Sequence, residues 1–185
     1  TVSLVGLQMA ARHIERVHFS TNGTAAAHRF AVEFNAKPVT LHGGGTGSFA
    51  NGVWQAQFTE FQASDDADMK LQLTAPANLL VALNGERLRL ERLCLEGDPA
   101  AFCAAGEHSA THSAFELSAA RVPLRALTAG LASDTNFEGQ VSLDLRAEAP
   151  AGAPWTASFI GALADASVKH RLSSGRIESF NLGNG

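Results

Sequence analysis

Residues 87–106, RLRLERLCLEGDPAAFCAAG, read as one β-hairpin, and that reading constrains the rest of the chain. Leu88 and Leu90 alternate with Arg87, Arg89 and Glu91, which makes one face of the first strand apolar and the other charged. Gly97, Asp98 and Pro99 are turn formers at the tip. Cys94 and Cys103, the two cysteines of the chain, stand on either side of it. Such a strand has one greasy side to cover, and most of the chain repeats its design.

Composition agrees with strands and turns. Tyr is absent, Phe numbers 11 and Gly 17, and only 17% of residues are charged. A net charge of −4 argues against a nucleic-acid partner, because phosphate binding needs a basic surface. No apolar run approaches the roughly 20 residues that cross a bilayer, and no signal peptide is visible. The sequence opens at Thr1 and stops at Gly185, and is read as a piece of something longer. At 185 residues it is taken as a single β-rich segment, with a sub-module break near 148–154.

The first twenty residues fit both helical and strand periods. Asn22-Gly23 is a hairpin signal and needs a strand on each side, so strands are expected there. His28, Phe30, Val32 and Phe34 then alternate with polar or small residues until Lys37-Pro38. Val39 and Leu41 resume the pattern and end in Gly43-Gly44-Gly45. Asn51-Gly52 marks the next hairpin, followed by Trp54, Ala56 and Phe58. Beyond an acidic loop of Asp65, Asp66 and Asp68, short strands hold Met69, Leu71 and Leu73, then Leu79, Val81 and Leu83. One helix is expected near 123–131, with Pro123 at its start and Leu124, Leu127 and Leu131 on one side. Phe137, Val141, Leu143 and Leu145 alternate again, and a Pro/Gly/Ala stretch leads to Trp155, Ala157 and Phe159. Trp54 to Phe58 and Trp155 to Phe159 share the pattern Trp-x-Ala-x-Phe, compatible with a repeated β module.

Chemical motifs are scarce. His108 and His112 have the spacing of a helical metal pair, but Ser109 stands where a zinc-protease Glu would be. On a strand, positions four apart sit roughly 13 Å from each other, too far for one ion. The glycines at 43–47 lack the Lys-Ser/Thr of a phosphate loop, so a close backbone approach or a bulge is the simpler reading. The aspartates lack the Gly and distal Glu of a calcium loop and read as a solvated tip. No nucleophile elbow and no Cys–His frame is present, so no enzyme activity, catalytic residue, metal or cofactor is expected.

Cys94 and Cys103 flank one tip, which favours a cross-strand bridge in an oxidising compartment; the alternative is two free thiols in the core. A bridge closing a loop of about ten residues stabilises by roughly 2–3 kcal/mol in the chain-entropy model. The apolar faces also leave two arrangements open. On pattern alone the default is a closed sandwich or barrel. The other is an open, curved sheet whose apolar face lines a groove suited to acyl chains.

Several stretches occur in one order: Asn22-Gly23-Thr24 through His28-Arg29-Phe30; Gly52-Val53-Trp54-Gln55-Ala56; Leu93-Cys94-Leu95 through Phe102-Cys103; Val122-Pro123-Leu124-Arg125-Ala126-Leu127; and Glu138-Gly139. This succession resembles the middle and late part of the TamB family, the inner-membrane-anchored periplasmic component of the translocation and assembly module. The resemblance implies a mostly β fold. It would be an elongated, curved antiparallel or mixed sheet folded into an open, taco-like half-pipe with an apolar concave face. It implies a periplasmic location in a parent protein anchored to the inner membrane, and an outer-membrane barrel partner met through regions outside these residues. Its function would be phospholipid transfer between the two membranes and outer-membrane homeostasis. In an older view the family is a scaffold for assembling outer-membrane proteins and autotransporters, whose unfolded strands would bind by strand addition. The expected lining for phospholipid acyl chains is Phe30, Val32, Phe34, Leu41, Trp54, Phe58, Leu71, Leu73, Val81, Leu88, Leu90, Val141, Leu143, Leu145 and Phe159.

Overall fold

The computed structural model describes residues 2–9, 12–65, 69–128, 134–172 and 174–183. Its strands are β1 (Val2–Met9), β2 (Arg12–Gly23), β3 (His28–Ala36), β4 (Val39–Ala50), β5 (Val53–Asp65), β6 (Lys70–Leu73), β7 (Ala77–Ala82), β8 (Leu88–Glu96), β9 (Ala101–His108), β10 (His112–Pro123), β11 (Thr135–Pro150), β12 (Thr156–Arg171) and β13 (Ile177–Gly183). All belong to one sheet in which every pairing is antiparallel. Neighbours in sequence are neighbours in the sheet, with one interruption. β6 pairs with the end of β5 and β7 with its beginning, and both pair onward with β8. Together β6 and β7 occupy one strand position, broken at residues 74–76, where Pro76 cannot donate to the ladder.

The turns explain most of this meander. Asn51 and Gly52 both have positive φ, 51° and 75°, as a tight two-residue hairpin demands. The first clear hairpin turns two residues later than Asn22-Gly23 suggests. Asn22 pairs with Arg29 and Gly23 with His28, and the chain reverses through residues 24–27. Thr24 and Ala27 close that loop with mutual backbone hydrogen bonds of 2.9 and 3.3 Å. Residues 97–100 turn β8 into β9, so the opening hairpin of the sequence is present as read. The 148–154 stretch forms the end of β11 and the turn into β12.

Five register shifts interrupt the alternation, between Gly44 and Gly45 of β4 against β5, in β8 after Leu90, in β10 after Ala119, between β11 and β12, and between β12 and β13. In the first three, one extra residue is inserted beside the partner strand, which is a β-bulge. Each insertion returns an apolar series to its original side. In β5, Trp54, Ala56 and Phe58 share a face with Phe61 and Ala63; in β8, Leu88 and Leu90 share it with Leu93 and Leu95. The bulge in β10 places Arg121 at φ 52°, and its amide donates to Ser142 Oγ at 3.1 Å.

The helix is shorter than expected. β10 runs through Pro123, and α1 covers Leu124–Thr128 alone; Leu131 lies outside the described residues, as do Asp66 and Asp68. Leu127 is 57% exposed.

Burial rules out the closed arrangement. Among the described residues, Val122 is the one large side chain less than 2% exposed, and the remaining core is mostly alanine. A sealed sandwich would enclose its large apolar residues between two layers. Here Leu88, Phe115 and Phe159 stay 42%, 39% and 67% exposed, and no pairing joins the edge strands β1 and β13. The described residues form a single large antiparallel sheet, an open half-pipe with one short helix.

Candidate functional site

Directly paired residues of antiparallel strands share a face, so the register can be followed across the sheet. From Phe30 it runs through Gly45 to Phe58 and on to Ala77. Trp54 faces Val81, which faces Leu88; Leu79 faces Leu90. Leu41 faces Ala63, which faces Leu71, and Leu73 faces Leu95. Leu95 leads through Phe102 to Ala119 and Leu143, and Leu145 faces Phe159. All fifteen residues named from the sequence therefore stand on one side of the sheet, Phe34 beside Leu41 and Val32 beside Gly43. The sequence reading left out Phe61, Leu93, Leu95 and Val122, because each lies just beyond a bulge that inverts simple alternation. Leu79 and Phe102, outside that reading too, are on this side as well.

This side is curved inward over β2 to β5. Strands lie about 4.8 Å apart, so β2 and β5, three positions apart, are separated by roughly 14 Å in a flat sheet. Yet the rings of Phe19 on β2 and Trp54 on β5 have centroids 6.1 Å apart, edge to face. Phe30 meets Trp54 at 5.3 Å and Phe58 at 5.2 Å, and Phe58 meets Phe61 at 5.7 Å. The glycines of β4 give these rings their space. They lie inside the strand rather than ending it, because β4 continues to Ala50. A Cβ on Gly43 would stand 2.7 Å from the Phe61 ring, and one on Gly47 would stand 2.8 Å from Trp54 Nε1. His28, also on this side, accepts the Trp54 indole N–H at Nε2, 2.9 Å away, while its Nδ1 lies 3.1 Å from Thr24 O.

A second cluster continues the surface. Ala63, Leu71, Leu95, Ala100, Ala119 and Val122 are buried together, with Leu41, Phe61, Leu73, Phe102, Val141 and Leu143 packed around them. Farther along on this side, Phe159 on β12 and Phe180 on β13 are more than half exposed, whereas Ile160, which faces Asp144, and Ile177, which faces Arg171, stand on the other side. Polar side chains alternate on the other side, where Cys94 faces Cys103 and the two form a disulfide with Cα atoms 4.1 Å apart.

The features considered for metal or phosphate chemistry are placed differently. His108 and His112 flank the tight turn between β9 and β10 instead of lying along one strand. His108 Nδ1 meets Ser113 Oγ at 2.7 Å, and His112 Nε2 is 3.9 Å from Glu107. Among the described residues, no group of three or more His, Cys, Asp or Glu side chains is placed to hold a metal ion.

The described residues thus form an extended, amphipathic sheet with one apolar and one polar side. The family model for the TamB N-terminal domain matches residues 1–174, and the chain belongs to the TamB family. The sequence motifs resemble the middle and late part of that family, whereas the matched model describes its N-terminal domain. No curated protein and no solved structure matches the chain. Membership places it in the translocation and assembly module of outer-membrane biogenesis, a structural and transport system that works with an outer-membrane partner. TamB proteins span the periplasm from an inner-membrane anchor. Among the described residues, no helix is long and apolar enough to cross a membrane.

Proposed function

We propose that the apolar side of this sheet is a conduit along which phospholipid acyl chains move between the inner and outer membranes. The observation that carries this reading is the series of apolar residues that the bulges keep on one side from Phe30 on β3 to Phe159 on β12, exposed to solvent at Leu88, Phe115 and Phe159. Burying acyl carbons there is favourable by about 0.8 kcal/mol per methylene. Because neighbouring stretches of lining are chemically alike, a chain can slide between them without a large barrier. The headgroup stays at the wet edge, and no bond is made or broken.

A charge in the lining should stop transport. Leu143→Arg and Phe159→Arg in the full-length protein test this; the second site is 67% exposed, so that variant folds even if the first does not. Loss of outer-membrane integrity in a folded variant is expected. Intact integrity and unchanged lipid cross-linking in both would contradict the conduit.

A second reading, a scaffold that holds unfolded outer-membrane protein strands, is favoured by one feature. β13 is an edge strand whose Ile177, Phe180 and Leu182 are exposed, a suitable template for strand addition. Photo-cross-linking from Leu143 separates the two: lipid adducts support the conduit and nascent barrel strands support the scaffold.

A further inference from the structure

We propose that the polar side of the sheet carries a binding site for a phosphate ester of a polyhydroxylated molecule. A cavity of about 790 Å³ lies there. Register places Arg29, Thr46, Gln57 and Asn78 in one row across its floor, and Gln55 and Arg89 in the next. None of these six is on the side occupied by Phe30 and Leu143, although the cavity is bordered by His28, Ala56 and Leu79, which belong to that side.

Charge is the first argument. Arg29, Arg87 and Arg89 line the cavity against one carboxylate, Glu91, an excess of two positive charges in a chain whose net charge is −4. None of the three arginines takes part in an ion pair among the described residues. Glu91 is engaged elsewhere: its Oε2 accepts from Asn78 Nδ2 at 2.8 Å, and Asn78 Oδ1 accepts from Gln57 Nε2 at 3.2 Å. The guanidinium groups are thus left for an outside oxyanion, which Arg binds through paired N–H donors.

Size and lining give the rest of the ligand. The volume falls within the range of small-molecule sites, roughly 300–1,000 Å³, and an isolated phosphate would fill a small part of it. The amides and hydroxyls around the arginines can meet hydroxyl groups as donors or acceptors. No Phe, Tyr or Trp lines the cavity, so a nucleobase has no ring to stack on.

Calorimetric titration of the purified chain with glucose 6-phosphate, inorganic phosphate and glucose tests the proposal. Flotation with phosphatidylglycerol and phosphatidylcholine vesicles covers a lipid source of the same phosphate. Saturable binding of glucose 6-phosphate, tighter than phosphate or glucose alone, is expected. Arg29→Gln and Arg89→Gln, both at exposed positions, should each weaken it at least about fivefold, and Lys37→Gln, outside the cavity, should leave it unchanged. Flotation with phosphatidylglycerol that the same two substitutions abolish supports the site with a lipid headgroup as its source. Absence of binding to both probes, or binding indifferent to Arg29 and Arg89, overturns the proposal, as does inorganic phosphate binding as tightly as the sugar phosphate.

Discussion

The Trp54 indole N–H donates to His28 Nε2 across an intervening strand, at 2.9 Å, and the two rings lie nearly parallel, 9° apart. β4 runs between them and presents Gly47 there, where any side chain would collide with both rings. His28 can accept this bond only with Nε2 unprotonated and Nδ1 carrying its hydrogen toward Thr24 O. In a Trp155→Phe background, His28→Phe removes the acceptor and is expected to change Trp54 emission. Removing the bond should cost about 1 kcal/mol in denaturant unfolding.

Gly45 within β4 and Gly52 in the turn after it separate crowding from backbone preference. A Cβ at Gly45 would lie 1.9 Å from the Gln57 carbonyl oxygen, which backbone cannot yield cheaply. Gly45→Ala is expected to destabilise by about 3 kcal/mol or more. Gly52→Ala meets no atom within 4 Å and suffers from its φ of 75° alone, at about 1–2 kcal/mol. Thermal unfolding of the two variants should rank them in that order.

Phe30 and Phe159 stand on the same side yet differ in burial, 4% against 67% exposed. Phe30→Ala removes the ring that touches Trp54 and Phe58 and should cost about 3–5 kcal/mol. Phe159→Ala should stay within about 0.5 kcal/mol by the same urea titration. On the conduit reading, it is the second substitution that reports on lipid contact without disturbing the fold.

Much of this architecture is legible in the residue pattern. Phe30, Val32 and Phe34, or Leu143 and Leu145, fall on one side because a strand repeats every two residues. What defeats the pattern is local. Thr59, and one residue in each of β8 and β10, are inserted without any mark in composition, and each flips the alternation that follows. Phe61, Leu93 and Val122 became visible as lining only with the register. The glycines at 43–45 read as the end of a strand because glycine is a poor strand former, yet ring packing holds them inside one; the close approach or bulge expected at 43–47 is present, opposite the extra residue Thr59. Openness is illegible for a different reason: a sealed and an unsealed sheet have identical alternation, and only the exposure of Leu88 or Phe159 distinguishes them.

The disulfide ties β8 to β9 at the turn beside buried Ala100. Cys94→Ser with Cys103→Ser should lower stability by roughly 2–3 kcal/mol, and reducing agent should bring the wild-type chain down to the same level while leaving the double variant unaffected.

The most direct measurement compares two adjacent residues on opposite sides of β11. A photo-cross-linking amino acid is placed at Leu145 or at Arg146 in the full-length protein in cells, and adducts are identified by mass spectrometry. Phospholipid adducts at Leu145 and none at Arg146 are the expected result. Equal lipid labelling at the two positions, or none at Leu145, would contradict an acyl-chain path along the apolar side.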